Sequence, residues 1–166
     1  MEGNTIISRK LIVHVSDAKT SSERDDTLVT YSLGSCIGVT LYDPVAKVGG
    51  LLHYQLPESI MDPQKAAEKP FMFADTGMRR IFDLMTAMGA IKKRIRVKIA
   101  GGASMATGPK GFDIGKRNHL AIRKILWQNG LFIDAEDVGG NMPRNMYFDI
   151  VDGRVVVRKN STESVL

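Results

Sequence analysis

Residues 37–57, IGVTLYDPVAKVGGLLHYQLP, constrain the chain more than any other stretch. Ile37–Tyr42 is an apolar, strand-like run. Asp43-Pro44 starts a turn, Gly49-Gly50 relieves the backbone at its end, and residues 51–57 return as a second run. Two such runs across a short turn read as an antiparallel hairpin, which makes at least part of any sheet in this chain antiparallel.

The remaining segments fit around that hairpin. KLIVHV (10–15) and Leu28–Tyr31 read as strands on either side of a polar loop, 16–26. Residues 94–102 alternate Ile95, Val97 and Ile99 against charges, the pattern of a half-buried strand. Residues 131–140 read as a strand and turn. Asp152-Gly153, between two β-rich runs in 146–159, is a two-residue hairpin signal. Asp75 is positioned to cap a helix that carries Met78, Ile81, Phe82, Met85 and Met88 on one face and closes at Gly89. At that spacing the methionines form a core stripe rather than a ligand set. A second helix runs from about Lys116 to Gln128, with Leu120, Ile122, Ile125 and Leu126 apolar, and stops at Asn129-Gly130. Residues 57–70 read as a loop with room for one helical turn, 101–115 as a glycine-rich loop, and 160–166 as a frayed tail. The expectation is one α+β domain spanning residues 1–166.

Composition removes several classes of function. The chain has 166 residues, 23 Lys and Arg against 18 Asp and Glu, and a formal charge of +5. The basic residues are scattered in short groups with few aromatics between them, which reads as solvated surface and not as a nucleic-acid site. A mild attraction for an acidic protein partner is all the charge offers. One cysteine cannot form an intrachain disulfide. Leu11–Val13 is too short an apolar run for a signal peptide, and no stretch is long enough to insert in a membrane, so a cytoplasmic protein is expected. Gly115-Lys116 is followed by Arg117, where a phosphate-binding loop needs Ser or Thr, and no dinucleotide fingerprint follows a strand. His14, His53, His119 and Cys36 have no zinc-ligand spacing. Neither cofactor nor metal is expected. His14 and His119 read as structural or surface residues, although His119 could approach a site at the glycine-rich loop.

Cys36, the one cysteine, stands in TYSLGSCIGVTLYD (30–43). Two readings are open. Free cysteine is among the most buried residue types, so Cys36 can be a small core hydrophobe. It can equally be a nucleophile exposed by its glycine turn, provided a base takes the thiol proton. His53 is the histidine the hairpin can deliver, and the register decides. If Tyr42 pairs with Lys47 across a turn at Asp43–Ala46, Cys36 faces His53; if Tyr42 pairs with Val48, His53 points to the other side unless a bulge at Gly49-Gly50 restores the alignment. The small residues Gly34 and Ser35 leave room for a substrate carbonyl near backbone N–H groups, a candidate oxyanion hole.

The segments TYSLGSCIGVTLYDP, GGLLHYQLP, FADTGMRRIFDLM, KIAGGASM, FDIGKRN and AEDVGGNMPR, in that order from about Leu11 to Lys159, resemble the CheD family of chemoreceptor glutamine deamidases. The resemblance implies a protein-glutamine glutaminase that converts selected glutamines of methyl-accepting chemotaxis receptors to glutamate, with some members also hydrolysing glutamate methyl esters. It implies Cys36 as nucleophile, His53 as acid and base, and Thr30 as the residue that orients the imidazole. The implied fold is a mixed β-sandwich with flanking helices, like the deamidating domain of cytotoxic necrotizing factor toxins. The implied partner beside the receptors is the phosphatase CheC, and a regulatory module acting mainly on CheC is the alternative function. On this reading the loop 101–115 borders the Cys36 cleft and shapes the receptor or CheC contact surface.

Overall fold

The computed structural model describes residues 8–104 and 113–166. Ten strands and three α-helices follow one another as β1 (Arg9–Ile12), β2 (Asp17–Ser21), β3 (Asp26–Leu33), β4 (Ile37–Asp43), β5 (Val48–Tyr54), α1 (Pro63–Glu68), α2 (Ala74–Ala87), β6 (Arg96–Gly101), α3 (Ile114–Gln128), β7 (Ile133–Val138), β8 (Arg144–Asp149), β9 (Val155–Lys159) and β10 (Thr162–Val165). They form two five-stranded sheets, ordered β1-β3-β8-β9-β10 and β2-β5-β4-β6-β7. Both are mixed: β1 runs parallel to β3, and β6 to β7, while the other pairs are antiparallel. No described helix is long and apolar enough to cross a membrane.

Two apolar layers hold this α+β arrangement together. Between the sheets, Leu28, Leu33, Met146 and Phe148 of the first meet Tyr42, Leu51 and Ala100 of the second. On the far face of the second sheet, Val39, Leu41, Leu52 and Ile99 pack against Met78, Ile81 and Met85 of α2 and Ile122 and Leu126 of α3. β4 and β5 are therefore buried along their whole length, which is why their sequences read as nearly continuous apolar runs. Gly49 and Gly50 lie inside β5, not in a turn. A Cβ on Gly49 would come within 2.5 Å of Ile150 Cδ1, and one on Gly50 within 2.9 Å of Ile81 Cδ1. The two layers press in too closely for side chains there.

Several expectations need correction. The polar segment 16–26 contains β2, held by main-chain pairing to β5. The tail read as frayed contains β10, paired antiparallel with β9. Asp75 does not cap α2, because Phe73 holds that position; its carboxylate instead accepts from the N–H and hydroxyl of Ser59. Asp62 caps the short α1 through Lys65 N–H, and Asp113 starts α3 earlier than expected through Lys116 N–H. Met88 ends outside the core at 36% exposure. Asp152-Gly153 sits within a longer loop, since Phe148 and Val155 are the last Cα partners before it.

Candidate active site

The connection between β3 and β4 is only Gly34, Ser35 and Cys36, and it crosses from one sheet to the other. Cys36 therefore lies at the seam, and its side chain packs against the layer between the sheets. His53 is on β5, with Gly38 as its Cα partner on β4 and Asp17 as its partner on β2. Neither register weighed from sequence is the one adopted. Tyr42 pairs with Gly49 and Asp43 with Val48, in an unbroken ladder without a bulge at Gly49-Gly50. The turn keeps its four residues but slides by one. Asp43 Oδ1 accepts from the N–H groups of Val45 and Ala46, which folds the turn over the end of the ladder, and Lys47 closes it at φ 57°. Sliding by one residue shifts the pairing by two, so His53 keeps the side of the sheet that the Lys47 register would have given it.

His53 is completely buried, and it reaches across the seam. Its Nδ1 lies 2.7 Å from Thr30 Oγ1, on β3 of the opposite sheet. Thr30 is also fully buried, and its Oγ1 is 2.7 Å from the carbonyl oxygen of Val13. A carbonyl only accepts, so the single hydroxyl proton of Thr30 goes to Val13. His53 Nδ1 must then carry a proton and donate it to Thr30 Oγ1. This assigns the tautomer: Nε2 holds the lone pair, and it is buried without a hydrogen-bond partner among the described residues. Such a nitrogen can take a proton from a thiol.

Both groups rest neutral. Burial pushes the Cys36 thiol up to about 11, against a weaker opposing effect of its own backbone N–H. Burial likewise drives the His53 imidazole down to about 4, although the Asp17 carboxylate favours the protonated ring. A preformed thiolate–imidazolium pair is not the ground state, so any attack by this thiol would have to be accompanied by proton transfer.

The Cys36 turn is fastened from one side. Gly34 O accepts from Ala103 N–H at 2.8 Å, Ser35 O from Asn118 Nδ2 at 2.9 Å, and Cys36 O from Gly102 N–H at 2.8 Å. Gly34 N–H donates to Ser32 O at 3.0 Å and is already occupied, whereas the N–H groups of Ser35 and Cys36 have no main-chain partner among the described residues. Residues 101–103 thus touch the Cys36 turn as expected of the glycine-rich loop; its stretch 105–112 lies outside the described residues. His14 and His119 stay apart from the site. His14 is an exposed residue whose N–H meets Asp17, and His119 Nε2 pairs with Glu136 at 3.1 Å. Asn118 escaped the reading of side-chain chemistry because a lone amide has no motif of its own. Its place at the end of FDIGKRN was the available signal.

Fold and site together define a class: an α+β protein that brings one thiol and one threonine-tethered imidazole to the seam between two mixed sheets. The family described as CheD chemotactic sensory transduction matches residues 55–159. That match begins just after His53; the relatives extend over the site. The probable chemoreceptor glutamine deamidase CheD of Solibacter usitatus is 44% identical over 157 residues, 95% of this chain and 93% of that one. A protein of Syntrophus aciditrophicus, probable chemoreceptor glutamine deamidase CheD 1, is 47% identical over 90% of this chain and 94% of its own. The chemoreceptor glutamine deamidase CheD of Thermotoga maritima is 43% identical over 80% and 81%. This chain belongs to the CheD family.

Proposed function

We propose that this protein deamidates glutamine side chains of chemoreceptors through a thioester on Cys36. The observation that carries the reading is the Thr30–His53 hydrogen bond, which holds the imidazole between the two sheets, where Cys36 also packs, and leaves Nε2 as an unprotonated base. The names of the relatives supply the substrate class.

The steps follow from these groups. Cys36 Sγ attacks the γ-carbonyl carbon while its proton passes to His53 Nε2, and the N–H groups of Ser35 and Cys36 receive the oxyanion. Nε2 then hands the proton to the carboxamide nitrogen. The C–N bond breaks, ammonia leaves, and a γ-glutamyl thioester remains. Water attacks that thioester as Nε2 takes one of its protons. The tetrahedral species collapses to glutamate, and the thiol recovers its proton. A glutamate methyl ester would enter by the same acylation, with methanol as leaving group. Thr30 keeps accepting from Nδ1–H throughout and orients the ring in both protonation states.

The finer fold assignment belongs to the same proposal: two facing sheets with the helices on one outer face suit the hydrolase type of the cytotoxic necrotizing factor toxins. So do a single 166-residue domain, cytoplasmic action, and CheC as a second partner, which rests on the family resemblance alone. The test is incubation of wild type and Cys36→Ala with a receptor cytoplasmic fragment. Wild type should release ammonia and add about one dalton per converted glutamine, and Cys36→Ala should do neither. Undiminished release by Cys36→Ala would overturn the covalent route.

A further inference from the structure

We infer that Asn118 is a positioning residue for the reaction, aiming the Cys36 N–H into the site through the carbonyl of Ser35; this rests on the acyl-transfer reading above. Asn118 lies on α3, fully buried. Its two amide protons go to two different segments, Ser35 O at 2.9 Å and Gln55 O at 2.8 Å. Ser35 is the residue before the nucleophile, and Gln55 follows His53 by two positions along the chain. One side chain thereby ties the thiol-bearing turn to the end of the strand that carries the base. Its backbone is held as well, since Tyr54 Oη donates to Asn118 O.

The effect on chemistry comes from the planarity of the peptide group. In a trans peptide the C=O and the following N–H point in opposite directions. A donor fixed on Ser35 O therefore fixes the direction of the Cys36 N–H, away from α3. Ala103 N–H acts in the same way on Gly34 O and so aims the N–H of Ser35. The two adjacent donors are held as a pair before substrate arrives, the condition under which oxyanion stabilisation is strongest.

Its Oδ1 is buried with no partner among the described residues. An unpaired buried acceptor destabilises a fold, whereas the two donors satisfy the carbonyls of Ser35 and Gln55, which a leucine of similar volume would strand. The residue's worth lies in its two donors.

The experiment compares wild type with Asn118→Leu and Asn118→Asp in three assays: ammonia release from a receptor fragment, the p-nitrophenolate burst from p-nitrophenyl acetate, and alkylation of Cys36 by iodoacetamide. We expect kcat for ammonia release and the burst rate to fall about 100-fold. KM should change less than about threefold, and alkylation should stay within about threefold, because the thiol itself is untouched. Unchanged kcat and burst, or losses matched by equal losses in alkylation, would overturn the inference. If wild type released no ammonia yet its Cys36-dependent burst still required Asn118, the substrate assignment would fail and this inference would stand. Should neither variant fold, nuclear magnetic resonance of the wild type decides. Both Asn118 Nδ2 protons must resist exchange, and the Cys36 amide resonance must move when propionaldehyde adds to the thiol. Freely exchanging Asn118 protons or an unmoved Cys36 amide would overturn it.

Discussion

Thr30 and His53 belong to different sheets and are joined by a 2.7 Å hydrogen bond in which the imidazole donates and the hydroxyl accepts. The direction follows from Val13 O, which claims the only proton Thr30 has. Thr30→Val removes the acceptor and frees the ring to adopt the other tautomer, with Nε2 protonated and useless as a base. We expect kcat to fall by about 10- to 100-fold. Thr30→Val also strands the Val13 carbonyl and costs roughly 1–3 kcal/mol of stability. Thr30→Ser should recover most of both. Ammonia release and denaturant unfolding on the three proteins check this.

The buried imidazole makes stability pH-dependent. His53 protonates near its ordinary value in the unfolded chain but only at about 4 in the folded one. Between those values the unfolded state binds the extra proton, so stability falls as pH drops from about 6.5 to 4 and this contribution is flat below. The loss should approach roughly 3 kcal/mol and be absent in His53→Gln. Urea titrations of both proteins at pH 7 and pH 4.5 measure it. The thiol gives the matching signature at alkaline pH. With Cys36 held up at about 11, its alkylation rate should still be rising at pH 10.

Gly101 stands directly behind the Cys36 turn. Its φ is +114°, and a Cβ there would stand 2.1 Å from the carbonyl oxygen of Cys36. Gly101→Ala must therefore move backbone. We expect at least about 2 kcal/mol of destabilisation and a loss of ammonia release larger than the loss of folded protein explains. Gly130→Ala is the control: its φ of +69° is also left-handed, but nothing among the described residues lies within 4 Å of the added methyl. That variant should pay only the backbone cost and keep its activity per folded molecule.

Asp43 is fully buried and holds the far end of the β4–β5 hairpin. Burial alone would raise its pKa. The N–H groups of Ile91, Ala46 and Val45 and the Arg94 guanidinium outweigh that and hold the carboxyl at about 2. Its contribution is present above about pH 4 and is lost as pH falls through 2. Asp43→Ala should cost about 3 kcal/mol or more at pH 7, because Arg94 and three N–H groups lose their acceptor. Thermal unfolding checks this, and the difference from wild type should shrink below pH 3.

What the sequence disclosed tracks how each element is held. β4, β5 and the apolar faces of α2 and α3 were legible because burial writes apolar periodicity into a chain. β2 (Asp17–Ser21) and β10 (Thr162–Val165) were not, because edge strands held mainly by main-chain pairing can be polar and look like loops. The side of the sheet on which His53 stands was open on spacing alone, since it turned on a one-residue slide of the hairpin turn, whose Val45 and Ala46 N–H groups bond to Asp43 Oδ1. Thr30 came only from the family resemblance. Its hydroxyl looks like any other in a strand until the opposite sheet delivers an imidazole to it.

The three-residue link between β3 and β4 has a consequence for the life of the chain before it is folded. Cys36 is carried on that link, Thr30 on one side of it and His53 on the far sheet, so no local piece of the polypeptide owns the machinery. On the proposed mechanism, a nascent or partly unfolded molecule has a thiol with no base and an imidazole with no tether, and it is chemically silent toward the glutamines around it. On that mechanism hydrolysis requires the two sheets to be closed on each other and stops whenever they part.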